Sequence, residues 1–382
     1  MRPRKRSGYV RLLVQAVEVL EARTLLSASA LGSAATNGVV ANASVASQSI
    51  VSHLAAAPNL DVSTVPANGD QNPYGVAFVP QGVPGEGKLQ AGDVLVSNFN
   101  NSDNQQGTGT TIVEISPSGQ QTLFFQGPKG LGLTTGLTVL KSGFVLVGNV
   151  PTSNGTFSTI QQGSLLILDK NGQVVANLTN KAMLDGPWDM TVYDAGSIAF
   201  VFVSNVLNGT VTRIELAIPP VGKSVHVLST NRIATGFAHR GDPTALALGP
   251  TGLAFDPMND LLYVASTADN AIYSISNALF RLNAVNKGTL VFSNPNLRGP
   301  LGLVLLPDGN LIASNGDAVN GNPADPSELV EFTPTGKFIG ESSVDPAEGG
   351  AFGIAVESNG DDVVFAAVDD NTNTLKVWDF EL

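Results

Sequence analysis

From about residue 70 onward, short apolar runs alternate with short polar turns, and the alternation itself repeats. The clearest unit opens at Gly252-Leu-Ala-Phe-Asp256, turns, resumes at Leu261-Leu-Tyr-Val-Ala265, turns at Asp269-Asn270 and resumes at Ala271-Ile-Tyr-Ser-Ile275. Gly302-Leu-Val-Leu-Leu305 followed by Leu311-Ile-Ala313, and Gly353-Ile-Ala-Val356 followed by Val363-Val-Phe-Ala366, repeat its opening. Apolar runs this short, bounded by Gly, Pro, Asn and Asp, predict strands rather than helices. A self-similar unit of roughly 50 residues has the spacing of propeller blades.

Six such units account for the body. Inner strands are predicted to begin at Pro73, Thr135, Trp188, Gly252, Gly302 and Gly353. Second strands follow at 94–97, 144–147, 199–203, 262–265, 311–313 and 363–366, and third strands at 112–115, 165–168, 211–214 and 329–332. Pro117-Ser-Gly, Lys170-Asn-Gly and Pro334-Thr-Gly then supply the hairpin dihedrals that lead to a fourth strand. The inner runs are continuously apolar, as expected where blades pack face to face. The last unit ends after its third strand at 374–378, while 59–65 is strand-like and precedes the first inner strand. Pairing the two would hide an exposed edge. The prediction is an all-β fold: a six-bladed β-propeller of four-stranded antiparallel blades over 59–382, its ring closed by an N-terminal strand.

The first 58 residues have a different character. Met1-Arg-Pro-Arg-Lys-Arg6 is a basic cluster, and an apolar stretch interrupted by Gln15, Glu18 and Glu21 follows it. That arrangement fits an export segment over 1–28 and is too broken for a membrane span. Residues 29–58, rich in Ala, Ser, Asn and Val and without acidic or basic side chains, are expected to form a flexible spacer. Leu20-Glu-Ala-Arg-Thr-Leu-Leu-Ser27 resembles the Leu-Glu-Pro-Arg-x-Leu-Leu-Ser signature of many large bacterial surface and extracellular proteins, with Ala22 in place of the proline. The resemblance implies a secreted or cell-surface protein.

Charge and cysteine content narrow the chemistry. The formal charge is −12, but removing the first 58 residues leaves 14 basic and 30 acidic residues, a body of −16. An acidic body repels phosphate backbones and argues against nucleic-acid partners. Cysteine is absent, and three histidines are too few and too scattered for a structural zinc site. No transmembrane segment is expected in the body, which reads as a monomer. No Gly-x-Ser-x-Gly elbow accompanies a histidine, and no His-Glu-x-x-His or phosphate-binding glycine loop occurs. His239-Arg-Gly-Asp242 falls in a long insertion of the third unit and reads as a solvated loop.

The repeating Gly-x-Ala-Phe-Asp strand, polar turn, Tyr-Val-Ala strand and following Asp-Asn resemble NHL repeats, most closely over 252–276. The chain as a whole resembles the six-bladed group that contains gluconolactonase and the regucalcin-like calcium-dependent lactonases. In such rings the channel mouth is lined where the chain approaches each inner strand and by the turns after the second strands. The approaches offer Asn72, Thr135, Asp185, Arg298 and Glu348; the turns offer Asn98, Asn149, Asn205, Asp269, Asn315 and Asp369. Converging oxygen ligands suit calcium, while Asn and Asp after strands also cap their own turns. Asp185-Gly-Pro-Trp-Asp189 resembles the Glu-Gly-Pro-x-Trp segment of those lactonases, whose acid binds the metal, which makes Asp185, with Glu348, the candidate calcium ligands. Two functions are therefore expected. One is an exported non-catalytic scaffold binding a protein, glycan or small molecule; the alternative is a calcium-dependent lactonase-like hydrolase working at the channel mouth.

Overall fold

The computed structural model describes residues 49–219, 225–316, 318–324 and 328–382; the export segment and the spacer up to residue 48 lie outside the described residues. Six sheets form the blades. From the inside outward, blade 1 is Gln71–Phe78, Val94–Asn100, Thr111–Ile115 and Gln121–Gln126, and blade 2 is Leu133–Val139, Val145–Asn149, Ser164–Leu168 and Val174–Leu178. Blade 3 is Pro187–Asp194, Ile198–Asn205, Thr210–Ala217 and His226–Thr235, with the short strand Val285–Asn286 parallel to its edge. Blade 4 is Pro250–Asp256, Leu261–Ser266, Ala271–Ser276 and Thr289–Phe292, and blade 5 is Pro300–Leu305, Leu311–Asn315, Leu329–Phe332 and Phe338–Ser342. Blade 6 is Ala351–Asn359, Asp362–Asp369 and Thr374–Glu381, and its outer strand is Leu60–Ser63. That last strand pairs antiparallel with Thr374–Glu381, Leu60 opposite Val377 and Ser63 opposite Thr374, so the ring closes as the sequence predicts.

Apolar side chains fill the seam between each pair of neighbouring blades. Leu95 and Leu137 lie in the seam of blades 1 and 2, and Val76 and Ala366 in the seam of blades 6 and 1. The seam of blades 5 and 6 has an additional component. Residues from Ser49 onward, expected to be spacer, are packed on the ring: a short helix, Ile50–Leu54, buries Ile50, Val51 and Leu54 beside Leu306, Phe365 and Trp378. Ser49 Oγ and the Val51 N–H both donate to Glu331, at 2.8 and 3.0 Å, and Trp378 Nε1 donates to Ala56 O at 2.9 Å.

The inner strands begin earlier than predicted because each opens on a bulge. Pairing with the second strand shifts between Pro73 and Gly75, Leu133 and Leu137, Pro187 and Met190, Pro250 and Leu253, Pro300 and Leu303, and Ala351 and Ile354. In five blades a glycine lies in or closes the bulge: Gly75, Gly136, Gly252, Gly302 and Gly353. In blade 3 it holds Asp189. The glycines permit close approach between blades. A Cβ on Gly136 would meet Asp189 Cα at 3.2 Å, one on Gly302 would meet Phe352 O at 2.6 Å, and one on Gly353 would run into Tyr74 O. Gly353→Ala should therefore force blades 6 and 1 apart and cost about 1–3 kcal/mol, as overpacking does. Gly85, with open space around its Cβ direction, is the control. Thermal melts showing equal stability for Gly353→Ala and Gly85→Ala would refute this account of the layer.

Candidate functional site

The face where the chain enters the inner strands, here the upper face, carries the candidate residues. Buried hydroxyls there link one blade to the next. Ser97 Oγ accepts the Gly75 N–H at 2.9 Å and donates to Thr134 O of blade 2 at 3.0 Å. Thr135 Oγ1 donates to Trp188 O of blade 3 at 2.8 Å, and Thr267 Oγ1 donates to Pro300 O of blade 5 at 2.7 Å. Ser314 Oγ repeats the relay, from Gly302 N–H to Phe352 O of blade 6. Thr135, a predicted site residue, is thus a link in the ring that also lines the channel below.

The other predicted residues are engaged locally. Asn72 has a left-handed φ of 60° and donates its N–H to Asn373 Oδ1 at 2.6 Å across the closing seam. The Asp185 and Arg298 N–H groups donate to Asn205 Oδ1 and Asn315 Oδ1, at 3.0 and 2.9 Å. Glu348 is half-buried, and its backbone carbonyl accepts from Asn371. The turn asparagines do the same work from the other side: Asn98, Asn149, Asn205 and Asn315 are buried, with side-chain amides donating to Thr64 O, Ser164 O, Met183 O and Asn296 O. Each ties the end of a second strand to a neighbouring loop or strand, so turn construction accounts for them.

The upper mouth itself is filled by rings. Tyr74 of blade 1 stacks on Phe99 at 4.6 Å and lies 5.9 Å from Trp188 of blade 3 and 4.7 Å from Phe352 of blade 6. Blades 1 and 3 are not neighbours, so their contact crosses the axis. The insertion after blade 3 covers this plug. Arg240–Asp242 pairs with Leu246–Leu248 as a hairpin; His239 and Arg240 are exposed, as expected of a solvated segment, while Leu246, Ala247 and Leu248 are buried. Gln106 Nε2 donates to Thr244 O, fastening the hairpin to the loop of blade 1. Burial without a charged partner pushes the Tyr74 phenol up, with the nearby Asp370 carboxylate adding to the effect.

Below the plug a channel of about 340 Å³ runs down the axis, lined by all six inner strands. Leu137, Met190, Leu253, Leu303 and Ile354 make its upper walls. Toward the lower face Phe78, Val192, Leu305, Val356 and Glu357 become partly exposed, so the channel is closed above and opens below. Asp189, at the glycine layer, is the acid at the closed end. Its Oδ1 accepts the Met190 N–H at 2.7 Å, and its carboxylate also accepts the Leu253 N–H of blade 4. Enclosure by protein pushes its pKa up to about 8 against the two amide bonds that favour the anion. Sequence reasoning passed over Asp189 in favour of Asp185. The signal was present: the blades read Pro-Tyr-Gly, Thr-Thr-Gly, Pro-Trp-Asp, Pro-Thr-Gly, Pro-Leu-Gly and Ala-Phe-Gly at this layer, and one departs.

Six four-stranded blades about a central channel decide the architecture. The ring is a six-bladed β-propeller. A gluconolactonase from Xanthomonas campestris superposes with a TM-score of 0.51 at 16% identity, covering 85% of this chain and 91% of that one. An α-L-arabinofuranosidase from Fusarium graminearum superposes at 0.53 with 13% identity, covering 85% and 97%. The calcium-binding protein regucalcin from Agrobacterium tumefaciens gives 0.47 at 14% identity, covering 81% and 92%. No family model matches the chain. No curated protein matches it either.

Within this six-bladed ring, the donor set of the upper mouth does not fit a calcium ion. Asp185 and Glu348 belong to blades 3 and 6, on opposite sides of the plug. Four other acids of this face are taken up by protein donors. Asp70 accepts from Thr110 N–H, Thr110 Oγ1 and Thr111 Oγ1 at 2.7, 2.8 and 3.0 Å, and Asp269 binds Lys287 at 2.7 Å and Ser266 Oγ at 2.7 Å. Glu328 accepts the Val344 and Gly350 N–H groups at 2.9 and 2.7 Å, and Asp369 lies 3.1 Å from Lys376 Nζ. Among the described residues no group of three or more His, Asp or Glu side chains is gathered closely enough to hold a metal, and no helix is long and apolar enough to cross a membrane.

Proposed function

We propose that this protein is an exported, non-catalytic propeller that serves as a binding scaffold outside the cell or at its surface. The observation that carries the reading is the aromatic plug. Tyr74, Phe99, Trp188 and Phe352 fill the axis where a substrate would have to enter from the upper face, and the 240–248 hairpin lies over them. The basic cluster and the Leu20–Ser27 signature support export. The loops of the upper face then present a surface to a protein, glycan or small molecule, held rigidly by the buried amides and hydroxyls beneath.

The alternative, a calcium-dependent lactonase-like hydrolase, keeps one observation in its favour. Asp185 Oδ2 accepts only a long bond of 3.4 Å from Asn208 Nδ2, which leaves most of its lone-pair sites open. The likeness to gluconolactonase does not select this reading, because a glycosidase shares the fold to the same degree. Calorimetric titration of the chelator-treated full chain with calcium separates the two. The scaffold reading expects no saturable one-site heat. Micromolar one-site binding that Asp185→Ala removes would replace it with the hydrolase.

A further inference from the structure

The channel below the plug is on the opposite side of the ring from the proposed scaffold surface and has chemistry of its own. Aliphatic side chains stand along its length among strand-edge amides and carbonyls, and a carboxylate stands at each end. Asp189 sits at the closed end, and Glu357, on the inner strand of blade 6, lines the open end. Glu357 follows Gly353, the bulge glycine of the layer that contains Asp189, by four residues. At about 3.3 Å of rise per residue the two carboxylates are separated by roughly 13 Å along the axis. Two of Asp189's lone-pair sites are taken by the Met190 and Leu253 amides, and a carboxylate offers about four. The remainder face the channel.

We propose that this channel binds a linear aliphatic diamine, entered from the lower face, with one terminal ammonium on Asp189, the methylene chain along the aliphatic side chains and the far ammonium at Glu357. The cavity of about 340 Å³ falls in the range of small-ligand sites. Other ligand classes fit poorly. An anion would face two carboxylates and no lining cation. A sugar would find only Thr135, Thr138 and Thr191 as hydroxyl partners, and Thr135 is already bonded to Trp188 O. A metal ion at Asp189 would find no second carboxylate nearby. An extended chain with ammonium groups at its ends meets both acids and leaves its hydrocarbon on Leu137, Met190, Leu253, Leu303 and Ile354.

Proton linkage gives the site a signature. Glu357 is the only other ionisable side chain among the described channel-lining residues, Tyr74 lies above in the plug, and the strand of blade 4 against Asp189 presents no charge there. Asp189 must lose its proton to pair with an ammonium, so affinity rises with pH up to about 8 and levels off beyond it.

Calorimetry of the full chain with cadaverine, spermidine, hexylamine and a neutral diol tests the assignment. Cadaverine is expected to bind one per chain, more tightly than spermidine, whose internal ammonium meets no acid, or hexylamine, with the diol silent. Its affinity should fall by up to roughly a hundredfold from pH 9 to pH 6. Asp189→Asn, which keeps an acceptor for the Leu253 N–H, should weaken binding at least tenfold and flatten the pH profile. Glu357→Gln, at the rim, should weaken cadaverine while leaving hexylamine unchanged. Binding that survives Asp189→Asn undiminished marks attraction to the acidic surface and overturns the proposal. So does the absence of heat from folded wild-type protein at millimolar cadaverine.

Discussion

Raising the pH from 5 to 9 should destabilise this protein by several kcal/mol and lower its melting temperature by roughly 10 °C. Four enclosed carboxylates set the direction. Burial pushes Asp189 up to about 8 and Glu114, Glu328 and Asp370 up to about 7, with the Asp369 charge adding to the effect at Asp370. In the unfolded chain all four ionise near pH 4. Between pH 4 and their folded values the native state holds more protons than the unfolded state, so stability falls as pH rises through that window and levels off above pH 8. Asp269, held below its usual range by hydrogen bonds from Lys287, Ser266 and Ala238 despite partial burial, acts oppositely, and its contribution is lost only in stronger acid. Every tenfold change in proton affinity between the folded and unfolded chain corresponds to about 1.4 kcal/mol, so Asp189 alone sets an upper limit of roughly 5 kcal/mol. Calorimetric melts at closely spaced pH values measure the slope. Asp189→Asn should stabilise the protein at pH 9 far more than at pH 5; a flat or rising wild-type profile across this range would sink the argument.

Removing residues 1–66 should cost a comparable amount by a different route. The deletion takes away the outer strand of blade 6 and with it the ladder from Leu60 to Ser63 and the Asp61 carboxylate, 3.6 Å from Lys376. It also removes Ile50, Val51 and Leu54, each at most 2% exposed. Three aliphatic side chains at about 1.5–3 kcal/mol each amount to roughly 5–9 kcal/mol, a large part of the stability of an ordinary domain. The freed edge of Thr374–Glu381 would then be open to pairing with other chains. Two truncations separate the contributions. A chain starting at residue 59 keeps the strand and loses the helix; one starting at residue 67 loses both and is expected to aggregate on concentration. Equal melting temperatures for the full chain and the shorter truncation would show that closure does not depend on this segment.

What the sequence conveyed about this ring follows from the range of the interactions involved. Strands were legible because each is a local apolar run between turn formers, and closure was legible because one blade lacked a strand and one strand lacked a blade. The bulges were not: each is a one- or two-residue register shift that appears only once the second strand is in place. Ile50–Leu54 escaped notice because five residues in an Ala- and Ser-rich stretch carry no helical period, and burial against Trp378 and Phe365 is what holds them. The plug depends on Tyr74, Trp188 and Phe352, from three blades, and the buried side of the hairpin is hidden behind the polar Arg240-Gly-Asp242. Thr135 and the turn asparagines were found at the right places, but their oxygens and amides serve the ring. Asp189 was readable only by comparison between blades.

The replacement of one glycine in six has a geometric consequence. A pore lined by six equivalent strands offers a guest six equivalent azimuths, and a ligand in it would be free to spin among them. Asp189 removes that degeneracy: the top of the bore has a single polar direction, toward the seam between blades 3 and 4, where the Leu253 amide fixes the carboxylate. A pseudosymmetric tube thereby becomes a keyed socket, in which a guest has one depth and one rotational setting.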